Sequence, residues 1–236
     1  MDESAPSARL SHGRHHRGCA SDMTRAKLSS ICSALAQKIL GGLVSQDAQS
    51  VNGYVVALFS RRSGEGVTMI CHELARAITA QRNLKLLCID AGDGRSRLMQ
   101  RCGGSGQLLS AETLAAEFNP AALLAASAHE TPQRISVLAL AEPSVMRSKG
   151  WPTFLGHIRA CFDMVIVDCG SLDRSTPYAW NDDATVKLLV VDAAHTTMPM
   201  LERLRSDLNA TGFDVSGIVL NRMEQVIPNF VYRHLV

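Results

Sequence analysis

Ser60-Arg61-Arg62-Ser63-Gly64-Glu65-Gly66-Val67-Thr68 has the layout of a phosphate-binding loop, with Val67 where such a loop carries its lysine. Ahead of it, residues 54–60, an apolar run closed by Ser60, predict a buried strand. Behind it, residues 68–81 carry the apolar period of a helix. Strand, glycine-rich turn and helix, in that order, are the setting the motif requires. Gly64 and Gly66 permit the positive φ values of a backbone nest whose N–H groups face an anion. The start of the following helix adds partial positive charge. Thr68 stands where a loop hydroxyl holds Mg²⁺. The loop keeps the cradle and lacks the cation.

The strand–helix pattern repeats along the chain. Strands are predicted at 54–60, 85–90, 135–140, 164–168, 187–192 and 215–220. Helices are predicted at 68–81, 111–118 with 121–127, 153–161 and 198–211. Most of the strands are continuous Val/Ile/Leu runs, as expected where both faces of a parallel sheet are covered. The alternation predicts an α/β fold: a doubly wound, mainly parallel sheet with helices on both faces. Such sheets bind ligands at the carboxyl ends of their strands. Two predicted strands end there in an acid. Asp90 is expected beside the loop, near the attacking nucleophile or the metal, and Asp168 at the position of a Mg²⁺-orienting acid. Either residue alone could be a turn former or helix cap. Two acids at two strand ends after such a loop point to one site.

Composition narrows the class. With 46% hydrophobic residues in 236, the chain can bury one substantial core. A net charge of +2 gives no overall basic excess for nucleic acid. No apolar run reaches the roughly 18 residues of a transmembrane helix, and no signal-peptide core opens the chain. The 7 cysteines are odd in number and form no C-x-x-C pair, and Cys71, Cys88, Cys161 and Cys169 lie in or beside apolar runs. They read as reduced core thiols of a cytoplasmic protein. Residues 1–24 are expected to be a disordered tail, in which His12, His15, His16 and Cys19 are solvated rather than metal-binding. Residues 25–50 are read as an amphipathic helix and linker, with Leu28, Ile31, Cys32, Leu35 and Ile39 on one stripe and Gly41-Gly42 as its stop. That helix packs on the main domain, 51–236, or docks a partner or second subunit.

Further segments follow the loop in order: Glu73-Leu74-Ala75-Arg76-Ala77, Leu87-Cys88-Ile89-Asp90-Ala91, Val165-Ile166-Val167-Asp168 and Gly217-Ile218-Val219-Leu220-Asn221-Arg222. With the loop, they resemble the deviant-Walker P-loop ATPases of the division-site and plasmid-partition type. The similarity is greatest to the cytoplasmic tyrosine-kinase-like domains of bacterial capsular and exopolysaccharide systems. It spans roughly residues 51–233, including a closing 227–233 segment like the tail of some polysaccharide-cluster members. The resemblance implies the P-loop NTPase fold. It places nucleotide on Gly64, Glu65, Gly66, Val67, Thr68, Asn221 and Arg222, with Asn221 where the family reads adenine. It places Mg²⁺ on Thr68, Asp90 and Asp168. ATP or ADP with Mg²⁺ is the implied cofactor, bound weakly or not at all. The implied partner is a membrane polysaccharide co-polymerase or export protein, which would hold the chain peripherally at the inner membrane. A homodimer is also implied.

The chain departs from the family pattern at several points. The family loop reads S-x-x-P-G-E-G-K-[ST], and here Ser63 and Val67 differ. Glu73 takes an Asn position, Gly92 replaces a second acid, and Cys169-Gly170-Ser171 replaces T-P-P. The family's kinases end in a tyrosine cluster, whereas this chain has 3 tyrosines, of which only Tyr232 is C-terminal. Their E-x-x-R-x-x-R element for ring assembly is missing from 25–40. Losing a preorganised charged donor costs roughly 3–4 kcal/mol of transition-state stabilisation. Arg61 or Arg62 could supply a substitute, since Arg62 lies where partition-type relatives carry a second signature lysine, one that reaches a partner subunit's nucleotide. An active enzyme would then use Asp90, Asp168 and Arg62. The expected function is a degenerate, catalytically impaired ATPase or tyrosine-kinase-like protein supporting exopolysaccharide or capsule biosynthesis and export. The alternatives are an active ATPase or tyrosine kinase of the same family, and a partition- or pilus-type localisation factor.

Overall fold

The computed structural model describes residues 16–45, 53–92, 94–104, 106–116, 119–131, 134–174 and 176–223. In chain order the elements are α1 (His16–Ser45), β1 (Tyr54–Ser60), α2 (Val67–Gln81), β2 (Leu86–Asp90), α3 (Arg97–Arg101), α4 (Ala111–Ala116), α5 (Pro120–Ser127), β3 (His129–Glu130) and β4 (Ile135–Ala139). They continue with α6 (Trp151–Cys161), β5 (Met164–Ser171), α7 (Thr176–Ala179), β6 (Val186–Asp192), α8 (Met198–Ala210) and β7 (Gly217–Asn221).

The strands form one sheet in the order β3-β4-β2-β5-β1-β6-β7. All pairings are parallel except β3 with β4, at one edge. Successive side chains of a strand point to opposite faces, and here both faces are covered. Val56 and Leu58 of β1 join a core with α1 and α2. Val55, Ala57 and Phe59 join a second core with α6, α8 and Trp180. That two-sided burial is why the strands read as unbroken apolar runs. β1 sits centrally, between β5 and β6, so its carboxyl end opens between neighbouring strand ends. Register puts Asp90 of β2 opposite Asp168 of β5, and Asp192 of β6 opposite Asn221 of β7.

Helix α1 packs on this domain. Leu28, Cys32, Ala36, Ile39 and Leu40 are buried against Ile70, Cys71, Leu74, Ala75 and Ile78 of α2, and Ile31 is left exposed. The helix also continues through Gly41-Gly42 to Ser45, past its expected stop. Two glycines cost a helix about 1 kcal/mol each. Burial of Ile39 and Leu40 just before them holds the final turn in place. Its amino end, at His16, lies inside the predicted tail. His12, His15, Tyr232 and the rest of 227–233 fall outside the described residues.

Five described cysteines are buried and Cys161 is half-buried; all six are free thiols. Burial, helped by nearby Glu73, pushes Cys32 up to about 12, and burial beside Asp90 takes Cys102 up to about 11. These thiols are packing groups rather than nucleophiles. No helix among the described residues is long and apolar enough to cross a membrane.

Candidate functional site at the strand ends

The loop between β1 and α2 has the two positive φ values its glycines permit, 94° at Gly64 and 101° at Gly66. Gly66 is the N-cap of α2. Hydrogen bonds tie down the remaining loop groups. Ser60 Oγ donates to the Arg62 carbonyl at 2.8 Å. The Glu65 carboxylate accepts from the Arg61 and Arg62 amides at 3.0 and 3.2 Å. Asn221 Nδ2 donates to the Glu65 carbonyl at 2.8 Å, and Arg222 Nη2 to the Gly64 carbonyl at 3.0 Å. With those carbonyls bonded to Asn221 and Arg222, the amides that open α2, which have no intrahelical partner, are the groups left for an anion. Val67 turns its side chain into the core around α2 and is 5% exposed.

The loop forms one wall of a cleft of about 640 Å³. Thr68, Asp90, Asp168, Gly170 and Ser171 line it, together with Arg97, Gln100 and Arg101 of α3 and Arg222 after β7. Asp90 and Asp168 are buried. Asp90 Oδ2 accepts from the Leu98 amide at 2.7 Å, and Asp168 Oδ1 from the Gly170 amide at 3.0 Å. Ser171 Oγ is buried without a hydrogen-bond partner among the described residues, a polar group left over for a ligand or water. The described residues hold no cluster of three or more His, Cys, Asp or Glu side chains suited to a metal. Mg²⁺ in phosphate sites takes one or two carboxylates plus phosphate oxygens and water. Thr68, Asp90 and Asp168 fit that smaller demand, and the glycine nest fits a phosphate.

Behind the loop lies a smaller cavity of about 260 Å³, lined by Arg61, Arg62, Asp192, His195 and Arg222 among others. Buried Asp192 accepts from Arg222 Nη1 at 2.6 Å and lies 3.1 Å from His195 Nδ1. Arg222 itself adopts φ 55°, a conformation costing on the order of 1 kcal/mol that these bonds hold in place. Burial works to raise the Asp192 carboxyl. Hydrogen bonds from Arg222, His195 and the Ala194 amide outweigh it and hold the carboxyl below the ordinary range. A lowered native pKa stabilises the fold above the unfolded-state value of about 4, and that stability is lost as pH falls through the native value. Asp192→Asn is therefore expected to lower the melting temperature at pH 7. The gap from wild type should close as pH falls below about 4. A gap that stays constant from pH 7 to pH 3 would contradict this assignment.

No protein-family model and no curated protein matches the chain. Solved structures do. The kinase domain of VpsO aligns over 88% of this chain and 100% of that domain, at 22% identity and a TM-score of 0.69. The kinase domain of the Escherichia coli tyrosine kinase ETK aligns over 83% and 79% of the two chains, at 20% identity and 0.63. The septum site-determining protein MinD of Pyrococcus horikoshii, complexed with Mg-ADP, covers 78% and 77%, at 16% identity and 0.54. The chain has the fold of these P-loop proteins. The doubly wound α/β prediction is thereby met.

On the P-loop fold, the structure brings Gly64, Gly66, Val67, Thr68, Asp90, Asp168 and Arg222 to one cleft. It does not bring Arg62 there: Arg61 and Arg62 line the cavity behind the loop, away from Asp90 and Asp168. Glu65 spends its carboxylate on the loop's own amides. Asn221 is 6% exposed, with its amide on the loop and its Oδ1 on the Arg222 amide at 2.9 Å, so it braces the P-loop. Sequence reading missed Asp192, Ser171 and the α3 arginines. Asp192 carried the same signal as Asp90 and Asp168, an apolar strand ending in an acid. Ser171 and α3 carried none.

Proposed function

We propose that the chain binds a purine nucleoside di- or triphosphate with Mg²⁺ in this cleft and transfers the phosphoryl group poorly or not at all. The observation that supports this most directly is the pairing of an intact cradle with Val67 buried in the core. The backbone at Gly64 and Gly66 would hold phosphate oxygens, and Thr68, Asp90 and Asp168 would hold the metal. Mg²⁺, when bound, offsets charge on the phosphates. Asn221 and Arg222 would keep the loop in its binding conformation. No group at residue 67 can meet the charge that grows in phosphoryl transfer, where electrostatic stabilisation dominates.

The cellular role we propose is support of a capsule or exopolysaccharide export machine through a membrane co-polymerase partner, on its cytoplasmic side, with a second copy of the chain as a further partner. That link rests on the sequence resemblance, which is analogy. Intact Asp90 and Asp168 favour a second reading, an active ATPase or kinase. Calorimetric titration tests the nucleotide reading. Mg-ATP and Mg-ADP are expected to bind saturably, and Asp168→Ala is expected to weaken both at least tenfold with Mg²⁺ but not in EDTA (charged contacts are worth about 1.5–3 kcal/mol). No binding up to about 1 mM, some 4 kcal/mol of affinity, would overturn it.

A further inference from the structure

We infer that Arg101, on helix α3, supplies the phosphate-neutralising charge that Val67 cannot, an assignment that rests on the nucleotide reading of the cleft. The cations around the loop divide into three groups. Arg61 and Arg62 line the rear cavity. Arg222 reaches the cleft but is committed to Asp192 and the Gly64 carbonyl. Arg97 and Arg101 of α3 line the cleft that holds the loop. Among the described residues the Arg101 guanidinium forms no ion pair or hydrogen bond, so it can turn to an incoming anion without breaking one.

The helix that carries Arg101 is short but well anchored. Leu98 and Met99 are 0% and 1% exposed and Cys102 is buried. The Leu98 amide is held by the Asp90 carboxylate. Residues 97 and 101 are four apart, so their side chains share one helix face, opposite the anchoring residues. The site's own acid thus fixes the element that presents the arginine to the cleft. A guanidinium has five donors in a planar fork and pairs with phosphate bidentately. Such an arginine can hold a phosphate from the side of the cleft that α3 forms. It does not sit under the transferring group as the loop lysine would, which matches binding without efficient transfer.

The test uses the full chain and three ligands, ATP, ADP and AMP, with Arg101→Gln and Arg101→Lys. Arg101→Gln is expected to weaken ATP and ADP about ten- to hundredfold, the worth of a charge-assisted bond, and to leave AMP within about twofold. Arg101→Lys should retain most of the affinity, and Val67→Lys placed in Arg101→Gln should restore it. The apo melting temperature of Arg101→Gln should match wild type, because the side chain is exposed and forms no bond. Wild-type affinity in Arg101→Gln, or equal losses for all three ligands, would overturn the inference while leaving nucleotide binding intact. A wild-type chain that binds no nucleotide would overturn both.

Discussion

Gly66→Ala is expected to cost about 2–5 kcal/mol of folding stability and to abolish nucleotide binding. Two effects add. Gly66 sits at φ 101°, where an L side chain is strained by about 1–2 kcal/mol. Its added Cβ would also collide with Asn221 Nδ2, the group that holds the Glu65 carbonyl. Relief requires Asn221 to move, and a buried amide that loses its partner costs about 1–3 kcal/mol. Gly64→Ala separates the two effects. Gly64 has φ 94° but no atom within 4 Å of the added Cβ, so only the backbone strain applies. Urea unfolding should rank wild type above Gly64→Ala above Gly66→Ala. Equal losses in the two variants would mean that Asn221 does not brace the loop.

Val67→Lys is expected to raise ATP affinity about tenfold, the low end of a charged hydrogen bond's worth. In vitro hydrolysis should rise by about 10²–10³, the usual effect of one preorganised donor. Some stability should be lost, because Val67 is 5% exposed in the core beside Ile70 and a lysine stem fills that space less well. The rate should stay below that of an intact site, since Gly92 still leaves the second acid missing. The cellular role should not improve, because the proposed role needs no turnover. Steady-state phosphate release on the purified variant checks the first part, and complementation by the variant checks the second. An unchanged rate would show that the lysine is not the limiting loss.

The sequence was most informative where local pattern and tertiary environment agree. The β1 run reads as a central strand because Val55 and Val56 face two different cores, so no polar residue interrupts it. Gly64 and Gly66 declare their φ values by lacking a side chain. Asp90 and Asp168 are visible as acids ending apolar runs, and register sets them opposite each other. Helix α3 was not legible. It is five residues long, and its anchor is a carboxylate eight residues upstream that only the fold brings near. The Asp192–Arg222 pair is likewise formed by sheet order, across 30 residues of chain. Arg62 lies next to the glycine loop in sequence and lines the second cavity in the fold, a placement that only the tertiary structure gives. The end of α1 was misjudged because Gly41-Gly42 signal a stop locally while burial of Ile39 and Leu40 carries the helix on.

On the proposed function, the loop holds a phosphate without transferring it. Its most direct test is the fate of bound ATP in a single turnover. Wild-type protein in excess over radiolabelled Mg-ATP is quenched in acid over minutes to hours and the products are separated. ATP is expected to stay on the protein and to be recovered intact. Conversion of the bound ATP to ADP and phosphate, or to phosphoprotein, at a rate that Asp90→Ala abolishes would contradict it.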